Sequence, residues 1–128
     1  MLNPDLVGHT FTGVESTTIT SESIAAFAAA LGESNIDVAP PTYAITISLE
    51  QSQSVLQSSG LNWDRVVHGD QKFVINEPIR AGMQITCNST IESARVVAGN
   101  EIVTVRSDLV DAASTVVAIS WSTLVFRA

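Results

Sequence analysis

The spacing of apolar side chains changes along the chain, from a helical period in the first half to alternation after residue 64. Residues 11–20 are rich in Thr, Val, Ile and Phe, which predicts a first strand, with a bend near its start where two glycines lie. Thr20 or Ser21 then caps a helix of about ten residues, which Gly32 ends. The apolar residues of this helix recur at helical spacing: Ile24, Phe27, Ala28 and Leu31.

Residues 43–56 are ambiguous, because their first half alternates like a strand and their second half has helical composition. The segment is too long for one strand and contains no turn, so a helix is favoured. It follows the chain break at Ala39-Pro40-Pro41, and Gly60 closes it. One face of this helix is predicted to carry Ile45, Leu49, Ser52 and Leu56.

After residue 64 the alternation predicts four strands, at residues 67–75, 84–93, 101–110 and 115–126. Turn residues separate them, and the connections at 98–100 and 111–114 are short enough for hairpins. The order of strand, helix, long helix and four antiparallel strands predicts an α+β fold. It is a single hot-dog domain spanning residues 1–128, with an antiparallel sheet of about five strands wrapped around a long central helix.

Composition fits one globular domain, since 45% of the 128 residues are apolar and 15% are charged. The net charge is −7 and the basic residues are scattered, which argues against nucleic acid or an anionic membrane as a partner. They are Arg65, Lys72, Arg80, Arg95, Arg106 and Arg127. Residues 1–6 lack the features of a signal peptide, and no apolar run has the length of a membrane span. With a single cysteine, these features favour a reducing cytoplasm.

Cys87 and His9 are interpreted as structural residues. Cys87 alternates with Ile85 and Ser89, so we expect an inert packed thiol, with a reactive thiol as the less favoured alternative. His9 stands beside Gly8 without a convergent partner, which suits a surface or turn position. The chain contains no nucleophile elbow, phosphate loop or metal-ligand spacing, so neither a cofactor nor a metal is expected.

The most distinctive stretch is Asn-Trp-Asp-Arg-Val-Val-His-Gly-Asp-Gln-Lys-Phe at residues 62–73. Pro-Ile-Arg-Ala-Gly-Met follows at 78–83, and Trp-Ser-Thr-Leu-Val-Phe-Arg at 121–127. Together these resemble the MaoC-like dehydratase family over nearly the whole chain. They are more similar to its N-terminal-type (FAS1-like) branch, to which the non-catalytic subunits of mycobacterial (3R)-hydroxyacyl-ACP dehydratase belong.

This resemblance implies a substrate class and an assembly. The substrates are acyl groups on CoA or acyl carrier protein, and the reaction is hydration of a trans-2-enoyl thioester or the reverse dehydration. The resemblance also implies dimers, because hot-dog domains pair edge to edge and form their sites between two domains.

Family hydratases carry their acid–base pair in a Gly-Asp-x-Asn-Pro-x-His stretch after the first helix. The corresponding residues 32–38 are Gly-Glu-Ser-Asn-Ile-Asp-Val. Gly32 and Asn35 match, whereas Glu33 replaces the Asp, Ile36 replaces the Pro and Val38 replaces the His. Since valine cannot transfer a proton, the resemblance implies that the standard catalytic pair is absent.

Three functional interpretations stay open. The first is an acyl-chain-binding subunit that pairs with a catalytic MaoC-type partner. Its predicted substrate-binding residues, of which the apolar ones also suit a plain core, are Thr42, Tyr43, Ile45, Ile47, Leu49 and Phe73. The second is an enzyme, either a thioesterase or an unconventional hydratase. It would use His68 and Asp70, which share a face of a regular strand, or the carboxylates of Glu33 or Glu50. The third is a homodimer that binds acyl thioesters without catalysis.

Overall fold

The computed structural model describes residues 2–13, 15–34 and 37–128. Two helices, α1 (Ser21–Ala30) and α2 (Ile45–Ser58), precede most of the sheet. The strands are β1 (Thr10–Phe11), β2 (Thr17–Thr18), β3 (Val66–Ile75), β4 (Gln84–Val97), β5 (Asn100–Val110) and β6 (Val116–Phe126). They form an antiparallel sheet in the order β1-β4-β5-β6-β3, with β2 also paired to β4. The long helix α2 packs against β4, β5 and β6, which confirms the predicted α+β hot-dog fold. None of the helices described is long and apolar enough to span a bilayer.

The predicted first strand is wrong in its extent, because residues 11–20 contain only the end of β1 and the short β2. Gly13 lies between the two strands and passes so close to β4 that an added Cβ would overlap the carbonyl oxygen of Cys87. The Gly13 N–H donates to the side-chain oxygen of Asn88 at 3.0 Å. The chain therefore leaves the backbone ladder at this glycine and rejoins β4 further along.

Helix α1 has the predicted start and end. The hydroxyl of Thr20 accepts a hydrogen bond from the Ser23 N–H at 3.1 Å. At the other end Gly32 has a φ of +76°, and the Glu33 N–H donates to the Ala28 carbonyl at 2.8 Å. This is a Schellman cap, which fixes the first residues of the connection to α2.

The buried face of α2 is rotated from the predicted one. Ser52 and Leu56 are fully buried as predicted, but Ile45 and Leu49 are only half-buried. The remaining buried positions of the helix are Ile47, Ser48 and Val55. A single 3-10 turn, Pro41–Ala44, leads directly into α2.

A row of three buried serines crosses the sheet beneath α2. Ser89, Ser107 and Ser120 lie opposite one another on β4, β5 and β6. The hydroxyl of Ser48 on α2 donates to Ser120 at 3.0 Å, and the Ser52 hydroxyl donates to the Ser48 carbonyl at 2.8 Å. This serine row brings the helix and the sheet together through hydroxyl groups instead of aliphatic side chains.

The serine row separates two apolar clusters of the core. On β5, Leu109 lies on one side of Ser107 and Val105 on the other, and they belong to different clusters. On α2, Ile47 and Val55 are divided in the same way by the buried serines. The core is therefore two apolar halves with a polar layer between them.

Strand β3 lies at the edge of the sheet and contains a bulge. His68 is opposite Leu124 and Asp70 is opposite Thr123, so Gly69 is the extra residue. Leu124 faces the buried side of the sheet, and Thr123 faces the other side. The bulge thus puts His68 and Asp70 on opposite faces, which corrects the prediction that they share one.

Candidate functional site

An apolar cleft of about 270 Å³ lies where the chain enters α2. One wall is formed by residues 38–41, and the other by residues 75–79, which are the last residue of β3 and the start of its connection to β4. Among these lining residues Glu77 is the one titratable side chain. The volume is slightly below the range of about 300–1,000 Å³ typical of small-molecule sites. This α2-entry cleft has the size and polarity for a short apolar group.

Backbone hydrogen bonds fix both walls of the α2-entry cleft. The N–H groups of Asn76 and Glu77 donate to the Val117 carbonyl at 2.8 and 3.1 Å. The Ala39 N–H donates to the Ile79 carbonyl at 2.8 Å and ties the two walls together. Proline occupies the first position of the turn that leads into α2, where its fixed φ is preorganised for a helix.

The two family positions of the acid–base pair occupy different places. Val38 lines the α2-entry cleft, whereas Glu33 is not among its lining residues. Glu33 is exposed, and its N–H is used in the cap of α1. Asn35 and Ile36 lie outside the described residues. Within the described chain, the cleft therefore has an aliphatic side chain at the histidine position and no carboxylate from the aspartate position.

The predicted substrate-binding residues surround the start of α2 but do not line this cleft. Tyr43 and Ile47 are buried in the first apolar cluster, and Phe73 packs against it. The Tyr43 hydroxyl shares a hydrogen bond with the Ser23 hydroxyl at 2.8 Å. Of the others, Thr42 is exposed, and Ile45 and Leu49 are half-buried as described above. A role for these six residues in binding stays a prediction.

His68 is oriented by Gln71 instead of Asp70. The Nε2 atom of His68 lies 2.9 Å from Oε1 of Gln71. The same oxygen accepts from the Ser122 hydroxyl at 2.6 Å, while the Gln71 amide nitrogen donates to Ser120 at 2.7 Å. Because Oε1 only accepts, this hydrogen bond requires a proton on Nε2 of His68. His68 is thus linked to the serine row, although its ring is exposed.

A second, polar cleft of about 250 Å³ lies beside α2, between this helix and β4. Glu50 of α2 and Glu15 bring two carboxylates to it, and Cys87 contributes to its wall. Burial raises the pKa of the Cys87 thiol, more than the hydroxyls of Ser89 and Ser107 lower it. The thiol is therefore protonated at neutral pH and a poor nucleophile, as predicted.

His9 has a structural setting, as predicted. It is exposed, and its ring packs edge-on against Phe11 with the ring centres 4.6 Å apart. In the part of the chain that the structure describes, no group of three or more His, Cys, Asp or Glu side chains is arranged to hold a metal ion.

Residues 34–120 match the family model described as FAS1-like, dehydratase domain region. The chain belongs to this FAS1-like dehydratase family. A UPF0336 protein of Streptomyces coelicolor is 35% identical over 144 aligned positions, which cover 99% of this chain and 96% of the relative. The family match covers residues 34–120, and the alignment with this relative covers almost all of the sequence.

Solved structures share the fold of this FAS1-like dehydratase domain. A MaoC-like dehydratase is 25% identical with a TM-score of 0.74, covering 95% of this chain but only 42% of that chain. A chain of the C-terminally truncated HadBC (3R-hydroxyacyl-ACP dehydratase) complex from Mycobacterium tuberculosis is 22% identical. Its TM-score is 0.84, and the match covers 97% of this chain and 99% of that chain. The domain is therefore MaoC-like, as the sequence resemblance implied.

The sequence gives no strong signal for a functional role of Glu77, which lines the α2-entry cleft, or of Gln71, which contacts His68. Glu77 lies in an Asn-Glu-Pro turn, whose composition indicates only a connection. The contacts of Gln71 depend on the bulge at Gly69. A single glycine within a strand pattern is the signal that can reveal such a bulge.

Proposed function

We propose that this FAS1-like dehydratase domain binds the acyl part of a CoA or acyl-carrier-protein thioester in the cytoplasm and does not catalyse hydration alone. The observation that supports this most directly is Val38 in the α2-entry cleft. An aliphatic side chain adds apolar contact for an acyl group at the position where the family hydratases need a proton-transferring imidazole.

In this proposal a catalytic MaoC-type partner supplies the acid and the base. One of the proteins with the same fold is itself a chain of a (3R)-hydroxyacyl-ACP dehydratase complex. The edge strand β3 offers a surface for pairing, since Val67, Val74 and Ile75 are exposed along it. The β3 edge leads into the cleft, because Ile75 also lines it. A partner on this edge would stand beside the acyl group.

The test compares hydration of trans-2-enoyl thioesters by the chain alone and by the chain co-expressed with a MaoC-type protein that retains the Gly-Asp-x-Asn-Pro-x-His stretch. We expect turnover only with the pair. Turnover by the single purified chain would show that the domain has its own acid–base pair.

A cleft-filling variant tests where the acyl group binds. Val38→Trp should weaken acyl-thioester binding at least about tenfold, because the indole takes up the space of the acyl group. Val96→Trp is the matched control, since Val96 is exposed at the far end of β4. Equal affinities of the two variants in calorimetric titrations would place the binding site elsewhere.

A thioesterase is a second candidate, favoured by the position of Glu50 in the polar cleft with Glu15. A carboxylate there can activate water for attack on a thioester carbonyl. This function predicts that thiol release from acyl-CoA is lost in Glu50→Gln and kept in the exposed Glu22→Gln. Absence of release by the unmodified chain would exclude it. The structure gives no support to a version built on His68 with Asp70, because they face opposite sides of the sheet.

A further inference from the structure

The α2-entry cleft has a polar, exposed rim and an apolar, buried floor. Among the lining residues that the structure describes, only Ala39 and Ile79 are buried, with 7% and 3% of their surface exposed. The two polar lining residues, Asn76 and Glu77, are exposed. An acyl group that binds here would therefore have its tail at the floor and its thioester group at the rim, because the apolar tail gains most from leaving water.

The two walls of the cleft meet at this floor. The Ala39 N–H donates to the Ile79 carbonyl at 2.8 Å, so a backbone hydrogen bond joins the walls at the two buried residues. Both residues belong to the first apolar cluster, together with fully buried residues that do not line the cleft, such as Ala44 and Val117. Because such a core is close-packed, an acyl chain that passed the floor would have to displace these side chains.

Proline makes the walls of the cleft rigid. Pro40 and Pro41 lie on one wall, and Pro78 lies on the other. The ring of each proline fixes its φ angle, which removes one of the two backbone rotations through which a wall could widen. The wall that contains Pro78 is also anchored to the sheet through two backbone hydrogen bonds to the Val117 carbonyl. We therefore expect the cleft to keep its volume of about 270 Å³ when an acyl group binds.

The volume of the cleft limits the length of the acyl group. A methylene group needs about the same space as a water molecule, roughly 30 Å³, so the cleft has room for about nine groups of this size. The carbon, oxygen and sulfur atoms of the thioester take about three of these places at the rim, which leaves about six for further carbons. The acyl chain then reaches the floor.

We propose that this domain selects acyl thioesters of short chain length, up to about eight carbons, and that Ala39 and Ile79 set this limit. The limit rests on the proposed function, because it applies to the acyl group which that function places in the cleft. Ile79 acts as a specificity-determining residue, since its side chain occupies the space into which a longer acyl chain would extend. Ala39 has the same effect from the opposite wall, through its hydrogen bond to Ile79.

A chain-length profile tests the limit. The probes are S-alkyl-CoA thioethers from S-ethyl to S-dodecyl, because they contain no thioester that the domain could hydrolyse. In calorimetric titrations the Kd should fall by up to about fourfold for each added methylene that enters the cleft. Beyond about eight carbons the added methylenes stay in water, so the Kd should change by less than about threefold up to S-dodecyl-CoA. A Kd that keeps falling to S-dodecyl-CoA would overturn the limit.

Substitutions at the floor should move the limit in opposite directions. Ile79→Ala opens space for about three more carbons and should lower the Kd of S-decyl-CoA by about tenfold or more. Ala39→Val fills part of the floor and should raise the Kd of S-octyl-CoA by about tenfold. The Kd of S-butyl-CoA should stay within about threefold in both variants, because this short chain does not reach the floor.

Ile24→Ala is the matched control, because Ile24 is a fully buried member of the same cluster that does not line the cleft. It removes the same atoms from the core and should leave the chain-length profile unchanged. If Ile79→Ala does not fold, Ile79→Val and Ile24→Val form a milder pair, and a shift of about one carbon is expected for Ile79→Val alone. Equal profiles of the variants at these two isoleucines would overturn the role of the floor.

The same titrations separate the chain-length limit from the proposed function. Binding that strengthens steadily to S-dodecyl-CoA refutes the limit and leaves the proposed function standing. Absence of binding at every chain length refutes the proposed function, and the limit with it. A Kd that equals that of CoA itself at every chain length has the same meaning, because the alkyl group then adds nothing to binding.

Discussion

At the residue scale, the contacts of the edge strand and those of the central helix meet at Ser120. Its hydroxyl oxygen accepts from the amide of Gln71 at 2.7 Å and from Ser48 at 3.0 Å. Ser120 is buried, and so are Ser48 and Ser122 beside it. The buried polar groups of this network are hydrogen-bonded to one another. Loss of the Ser120 oxygen therefore removes the acceptor of both Ser48 and Gln71.

Ser120→Ala should therefore destabilise the fold by about 1–3 kcal/mol, the usual cost of leaving buried polar groups unpaired. Urea unfolding followed by circular dichroism measures the change. Ser54→Ala is the matched control, because Ser54 is exposed on α2 and its loss should change stability by less than about 0.5 kcal/mol. Equal effects of the two substitutions would show that the network adds nothing to stability.

The buried thiol of Cys87 predicts low reactivity and a pH dependence. Its raised pKa keeps it neutral in the folded state, so alkylation at neutral pH should be slow until urea exposes the single thiol. Because the pKa of the Cys87 thiol is higher in the folded than in the unfolded state, the thiol contributes to the free energy of unfolding. This contribution is complete below the pKa of the unfolded chain, which is about 8.5. This contribution declines as the pH rises above that value. The difference in free energy of unfolding between the unmodified chain and Cys87→Ala should therefore shrink between about pH 8 and 10. A difference that stays constant over this range would contradict a raised pKa.

At the element scale, the hairpin between β4 and β5 contains a strained turn. Val97 pairs with Asn100, and the two residues between them, Ala98 and Gly99, have φ angles of +51° and +82°. Positive φ at both positions defines a type I′ turn, which favours Asn followed by Gly. Gly99 suits its place, whereas the Cβ of Ala98 makes this conformation unfavourable.

Ala98→Asn should stabilise the protein by about 0.5–1 kcal/mol, because asparagine tolerates the left-handed region better than alanine. The midpoint of thermal unfolding should rise accordingly. Gly99→Ala is the control that should lower the midpoint. The added Cβ would lie 3.3 Å from the Cβ of Ala128, and the φ at position 99 is unfavourable for alanine. A lower midpoint for Ala98→Asn would contradict the assigned turn.

The elements with a long, regular pattern could be predicted from the sequence, and those with local exceptions could not. The four long strands and both helices have the predicted order, because alternation or capping residues repeat over many positions. The first strand is interrupted where Gly13 contacts β4, and such a close approach depends on a residue far along the chain. The predicted face of α2 omits Ser48 because a serine has no apolar signature, although Ser48 is as fully buried as the predicted Ser52.

At the scale of the whole molecule, the sequence predicts which residues stand at the two family positions, but the geometry around them could not be predicted. Val38 at the histidine position follows from the family pattern, and the structure places it in the cleft. The separation of His68 from Asp70 depends on one bulged residue, which reverses the face of every later side chain in the strand. Glu77 reaches the cleft through a turn anchored on Val117, a contact between distant parts of the sequence.

Restoring the two family residues should not restore hydration. In Val38→His with Glu33→Asp, the imidazole enters the cleft, but position 33 stays in the cap of α1 and outside the lining residues. General acid–base catalysis needs both groups within hydrogen-bond reach of one water. We expect no turnover of trans-2-enoyl thioesters by this double variant in a spectrophotometric assay. Measurable turnover would show that the connection after α1 moves into the cleft.

The serine row also decides how α2 can be seated on the sheet. An aliphatic helix could slide by one turn, about 5.4 Å, and still bury apolar surface, so neighbouring positions would differ little in free energy. Here a shift of one turn in one direction would put Ala44 opposite Ser120 and move Ser52 to the place of Leu56, in the second apolar cluster. A shift in the other direction would put Ser52 opposite Ser120 but move Ser48 to the place of Ala44, in the first apolar cluster. Each buried hydroxyl left unpaired costs about 1–3 kcal/mol. Each shift thus moves one serine hydroxyl among apolar side chains, and the observed position of α2 on the sheet is favoured over positions one turn away.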